Sequence, residues 1–362
     1  MKKIGLFPLL IITGLFLAGC SSDSNSSSAP AEKEAQTSQA ETNKEQADSE
    51  KSQFYFTANE GGSISKIDAS SNEVVKTIEV DGSVHNVQVS LDGEILGATV
   101  VPSMNHSGSN GEESMEMLGQ ALFFDIDTNE LIKSVEVGQH PAHIAFTEDA
   151  KYVLVTNNED NNVSVIDMQD YSLIKTINTG KGPHGFRISA DSQKAYIANM
   201  GEDSVSVLNL ETMKEEKRIT VGKAPVTTGV TSDGKTLVAT LNGENKLAIV
   251  DLKNGKVEKV AVDNGPAQVY IDGNNQLAYV ANQGTEDNPS HSVSVIDLAS
   301  KKVKEEIETG KGSHGVVTSS DKNRLYVTNM YENTVSVIDT EQNIVLDTFE
   351  VGEIPNGISI MK

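Results

Sequence analysis

KGSHGVVTSSDKNRLYVTNMYENTVSVIDTEQNIVLDTFEVG, residues 311–352, is the stretch of which most of the remaining chain is a variation. It reads as four strands, Ser313–Ser319, Arg324–Asn329, Thr334–Asp339 and Ile344–Val351. Each is rich in β-branched and aromatic residues and is punctuated by Asp, Asn, Gly, Glu and Gln. A single four-stranded antiparallel sheet of this kind cannot bury both its faces, whereas copies arranged radially can, which makes a β-propeller. The turn between first and second strands marks the register at Asp92, Asp149, Asp191, Asp233, Asn274 and Asp321. From Asp149 to Asn274 the steps are 42, 42 and 41 residues, while insertions stretch the first step to 57 and the last to 47.

Within the repeat, LYVTN (Leu325 to Asn329) and VSVID (Val335 to Asp339) closely resemble the YVTN family of β-propeller repeats. The resemblance implies an all-β fold, and the strand count sets the number of blades. QFYFTANE, SISKID and EVVKTIEV (residues 53–80) supply second, third and fourth strands with no first strand, and PNGISIMK (355–362) is a first strand with nothing after it. Paired, they make one blade from the two ends of the domain and close what would otherwise be open edges. Six further blades begin near His85, Ala142, His184, Val226, Ala267 and His314, so the expectation is a seven-bladed β-propeller over 53–362. The absence of Trp argues against WD40 and quinoprotein propellers.

The segment MKKIGLFPLLIITGLFLAGC carries Lys2 and Lys3, a short apolar run and small residues before Cys20. It reads as a secretion signal over 1–19. Leu17-Ala18-Gly19-Cys20 resembles the bacterial lipobox, which implies a diacylated Cys20, an anchor in the cell membrane and an extracytoplasmic location. A plain membrane anchor or a signal with an incidental Cys is the alternative. Residues 20–52 turn to Ser, Ala, Glu, Gln, Asn and Thr and read as the lipidated Cys followed by a disordered tether. Cys20 is the one cysteine, which excludes a disulfide and a CxxC redox pair within the chain. A net charge of −23 disfavours nucleic acid and anionic lipid as principal partners.

No catalytic motif emerges. G-x-G-x-x-G occurs at Gly180–Gly185 and Gly310–Gly315, but each falls between strands of neighbouring blades and opens no helix, so a nucleotide role is disfavoured. G-x-S-x-G and H-E-x-x-H are missing. The histidines carry more information. His85, His184 and His314 stand seven positions before their turn markers and His143 one residue further on, at the start of innermost strands and hence at the mouth of the central channel. Imidazole is the commonest metal ligand. Duplication of a turn could also scatter His in register without function. The insertion 103–117 adds Met104, His106, Met115 and Met117, a thioether and imidazole set suited to copper. A second insertion, 284–292, adds Glu286, Asp287 and His291 to the same face.

The expected function is therefore a non-enzymatic, lipid-anchored binding module that holds zinc, copper or a small ligand at the channel mouth, in the manner of propeller metallochaperones. The expected site is His85, His184 and His314 with His143 as a fourth candidate, losing its ion as pH falls through about 6 to 7. Resemblance to the propeller of cytochrome-type nitrite reductases and to propeller lactonases supplies an enzyme-class alternative with haem in the channel. An interaction scaffold for an envelope protein partner is the third.

Overall fold

The computed structural model describes residues 53–103 and 118–361. Cys20, the tether and the loop bearing Met104, His106, Met115 and Met117 lie outside the described residues. Among those described, twenty-eight strands, numbered in chain order from β1 (Phe54–Asn59) to β28 (Pro355–Ile360), form seven four-stranded antiparallel sheets. The fold is the seven-bladed propeller. The closure is as the strand count implied, with β28 innermost beside β1, followed by β2 (Ser63–Asp68) and β3 (Val74–Glu79). Tyr55, Phe56 and Thr57 pair with Ile360, Ser359 and Ile358.

Burial explains why the middle strands are apolar almost without alternation. Seven hydrophobic clusters each lie between two neighbouring sheets, so strands such as Arg324–Asn329 have an apolar neighbour on both faces. The clasp blade takes part like any other. Phe56 and Ile64 pack with Val84 and Leu96 on one side, and Tyr55 and Ile67 with Tyr326 and Val337 on the other. Outermost strands such as β3 are largely exposed and carry charge, which blunts their free edges.

The YVTN signature has a mechanical reading. Asn329 donates from Nδ2 to Thr334 Oγ1 (3.0 Å) and Ser336 Oγ (2.9 Å), tying second strand to third. Gly310 of the inter-blade connection lies so close that a Cβ there would stand 2.6 Å from this amide. The same arrangement recurs at Asn59 with Gly352 and at Asn199 with Gly180. Both G-x-G-x-x-G stretches are thus connections that accommodate an Asn, with Gly182 and Gly312 at positive φ. The Asp after each VSVI run caps its own turn, as Asp339 Oδ1 does by accepting from Glu341 N at 2.9 Å.

One local feature positions the site. Every innermost strand shows a register shift against its neighbour near its start, for example between Pro141 and Ile144, between Pro183 and Phe186, and between Val84 and Asn86. Two residues there oppose one on the partner strand, which re-aims side chains toward the channel. A second-strand threonine follows the irregularity and braces it. Thr156 Oγ1 accepts from His143 N (2.9 Å) and donates to the His184 carbonyl of the next blade (2.8 Å), and Thr99 does the same for Asn86 and Ala142.

Candidate metal centre

Three of these innermost strands, β4 (Ser83–Val89), β8 (Pro141–Phe146) and β12 (Pro183–Ile188), bring His85, His143 and His184 together. One ring nitrogen from each lies within 4.8 Å of the others. The irregularity explains why His143 arrives although it is one residue out of phase with the other two, since both residues at the shift lie at the channel mouth. His314 does not join the three. Its Nδ1 faces the Asn356 carbonyl at 3.1 Å, and it stays buried beside the cluster rather than in it. The expected roles of His143 and His314 are therefore exchanged. His140 is exposed beside Glu159 at 3.5 Å, and His291 is exposed on an ordered hairpin, Leu277–Thr285 with Asn288–Asp297, which the sequence suggested as a loop. Glu286 and Asp287 are exposed at its tip.

Hydrogen bonds fix which nitrogens carry protons. Glu60 Oε1 lies 2.9 Å from His85 Nδ1 and accepts from Asn356 Nδ2 at 2.7 Å. Burial acts to raise the Glu60 pKa, but the bonds from His85 and Asn356 outweigh it and hold the carboxyl down at about 2. As a carboxylate it only accepts, so His85 Nδ1 bears the hydrogen. His184 Nδ1 faces the Val226 carbonyl at 3.2 Å and bears one for the same reason. Both Nε2 atoms then present lone pairs, and they face each other at 3.2 Å. Two ligands on a tetrahedral ion with bonds of about 2.0–2.1 Å stand about 3.3 Å apart, so this spacing suits an ion or a proton between them. His143 Nε2 is buried and has no hydrogen-bond partner. Glu60, itself held by Asn356, sets the tautomer and ring orientation of His85.

Burial, followed by the neighbouring imidazoles, pushes the His184 pKa down to about 3 and His143 well below the usual histidine range, and burial beside His85 brings His314 to about 4. The unfolded chain binds protons at these positions below about pH 6.5. The folded ring refuses them until lower pH, so stability falls as pH falls through that window, by about 2 kcal/mol at pH 5 for His184. We expect the thermal midpoint of metal-free protein to drop between pH 7 and 5, and His143→Gln with His184→Gln to flatten the dependence. Parallel melting profiles for variant and parent would contradict it.

Glu60 and Asn356 were not singled out by sequence, although a signal was there. Glu60 follows a strand-ending Asn where other blades have Asn158, Met200, Asn242, Gln283 and Met330, so it is the one carboxylate of that series. Asn356 holds the repeat position of His85, His184 and His314.

Fold and site together define a seven-bladed propeller with an imidazole cluster at one mouth of its channel. The resemblance carried by the repeat holds. The YNCE-like beta-propeller family model matches residues 216–362, the Cytochrome D1 heme domain model residues 119–284, and the Choice-of-anchor I domain model residues 43–168. No curated protein matches the chain in a sequence search. Among solved structures, the Kuenenia stuttgartiensis hydrazine synthase is similar at 20% identity and TM-score 0.66, over 80% of this chain and 92% of that one. A functionally unknown protein from Desulfotomaculum acetoxidans is similar at 14% identity and TM-score 0.71, over 86% and 99%. The dihydro-heme d1 dehydrogenase NirN in complex with DHE is similar at 13% identity and TM-score 0.61, over 85% and 74%. At these identities the structural likenesses speak for the fold alone.

Proposed function

We propose that this protein is a binding propeller that holds a transition-metal ion, zinc or copper, between His85, His143 and His184. The observation that carries the reading is the pair of Nε2 atoms facing each other at 3.2 Å, joined by the partnerless His143 Nε2. Three imidazoles on a rigid ring leave a position for a further ligand, which suits an ion that is handed on rather than sealed in. Burial holds the His143 and His184 pKa values below the usual histidine range, which moves proton competition at these two ligands to lower pH than the 6 to 7 expected from sequence.

A second reading is tetrapyrrole binding. Its support is the match to the Cytochrome D1 heme domain over residues 119–284, which include His143 and His184, together with the NirN likeness. Against it stands the mutual closeness of the three imidazoles, which leaves no room for a macrocycle between them. Metal and chromophore analysis of protein purified from its native envelope separates the two. A stoichiometric colourless or copper-bearing protein supports the first reading, a Soret band supports the second, and neither would favour a scaffold for an envelope partner.

The location is part of the proposal and rests on Leu17–Cys20. Lipidation of Cys20 would anchor the propeller on the extracytoplasmic side of the cell membrane. Cys20→Ser is expected to release the protein from the membrane fraction or to stall its processing. Retention of the variant through an acylated mature terminus would contradict the anchor.

A further inference from the structure

The channel's other end has a chemistry of its own. All seven innermost strands line a cavity of about 450 Å³ there. Its walls mix apolar side chains, Phe146, Ile188, Val230, Ile271 and Ile358 among them, with polar ones such as Ser232, Thr318 and Ser359. Into this lining the chain places a guanidinium, Arg187, on β12 three residues beyond His184.

Arg187 is without a carboxylate. Among the described residues its one hydrogen bond runs from Nη1 to the Phe186 carbonyl of its own backbone, at 3.1 Å. Most of its donor fork is left unused. This is notable in a chain with 52 acidic residues against 29 basic ones, where an arginine pairs readily. The charged groups that share the cavity lining sit at the outer turns and are engaged or exposed. Asp272 accepts from Gln276 N and Leu277 N, Lys322 Nζ donates to Asn274 Oδ1, and Glu148 is exposed. Arg187 is half-buried, and its enclosure acts to lower its pKa.

A half-buried charge with no carboxylate partner is offset when a counter-charge binds beside it. We propose that this end of the channel is a receptor for a small organic monocarboxylate with an apolar body. One guanidinium matches one carboxylate in a two-bond fork, and the other cation of the lining, Lys322, is engaged by Asn274 Oδ1, so a dianion such as phosphate is matched less well. The apolar side chains of the walls take the rest of the molecule, and the volume falls in the range of small-ligand pockets. Gln88 and Tyr270, also in the lining, supply polar edges without adding charge.

The test uses metal-free, full-length protein and calorimetric titration with benzoate, benzamide and inorganic phosphate as probes. Benzoate is expected to bind with one-to-one stoichiometry at a dissociation constant below about 1 mM, and benzamide and phosphate at least about tenfold more weakly. Arg187→Gln should weaken benzoate by at least about tenfold, and Arg187→Lys should retain part of the affinity. Arg187→Met should leave the thermal midpoint unchanged or raise it, because it removes an uncompensated charge. A purely structural arginine would instead lose stability in all three variants. Equal binding of benzoate and benzamide, unchanged affinity in Arg187→Gln, or no saturable benzoate binding would each overturn the proposal.

Discussion

Wild-type protein titrated with zinc or copper will show saturable binding at micromolar concentration, and replacing His85, His143 and His184 together by Ala will abolish it. Among the described residues these three imidazoles are the ring nitrogens that converge at this mouth, so the converging donors are gone when all three are replaced. Bound ion should also raise the thermal midpoint, since it binds the folded ring and not the separated strands. That rise must vanish in the triple variant while the β-sheet signal stays. Glu60→Gln is the finer probe. It keeps the shape but removes the charge that fixes His85 Nδ1 as donor, and a lost outer partner costs about 10-fold to 100-fold in metal affinity. His140 and His291 lie exposed outside the cluster, and their replacement should change nothing. Wild-type protein that binds neither metal, or a triple variant that still binds, would remove the metal reading.

Deleting Pro355–Lys362 will collapse the domain, whereas deleting Ser21–Lys51 will leave its thermal transition nearly unchanged. The first deletion strips β28, which is the innermost strand of the clasp blade, and with it the pairing to Tyr55, Phe56 and Thr57. Ile358, Ile360 and Met361 are buried, and their return to water costs on the order of 5 kcal/mol. That approaches the entire stability of a typical domain. The edge of β1 would lie open to pairing with other chains, so the expected product is aggregate. Equal damage from the two deletions, measured by melting and light scattering, would contradict this closure.

Blade number and closure were legible because they follow from counting strand-like runs between turn markers. The first unit lacked an innermost strand and the last run lacked partners, and only one pairing repairs both. The site was legible in part. His85 and His184 share a repeat position, which spacing alone reveals. His143 looked secondary because spacing treats strands as regular, while the local register shift places two successive residues at the channel mouth. His314 looked primary for the same reason, yet its Nδ1 is engaged by the Asn356 carbonyl. Glu60 was hidden because its partners come from the far end of the chain and from the next blade, a proximity that no local pattern records. Arg187 is the one arginine of an innermost strand, but its lack of a carboxylate partner is a matter of three-dimensional surroundings.

The clasp sets an order of events for a chain made from its N-terminus. Glu60 appears early and His85 soon after, but the amide that holds the Glu60 carboxylate belongs to Asn356, a sequence separation of 296 residues. An unfinished chain emerging from the ribosome therefore has the histidines without the tautomer lock, and has no closed ring around them. The lock on His85 is completed only once the last strand has been synthesised and seated. A truncated product would lack that bond and the closure of the ring together.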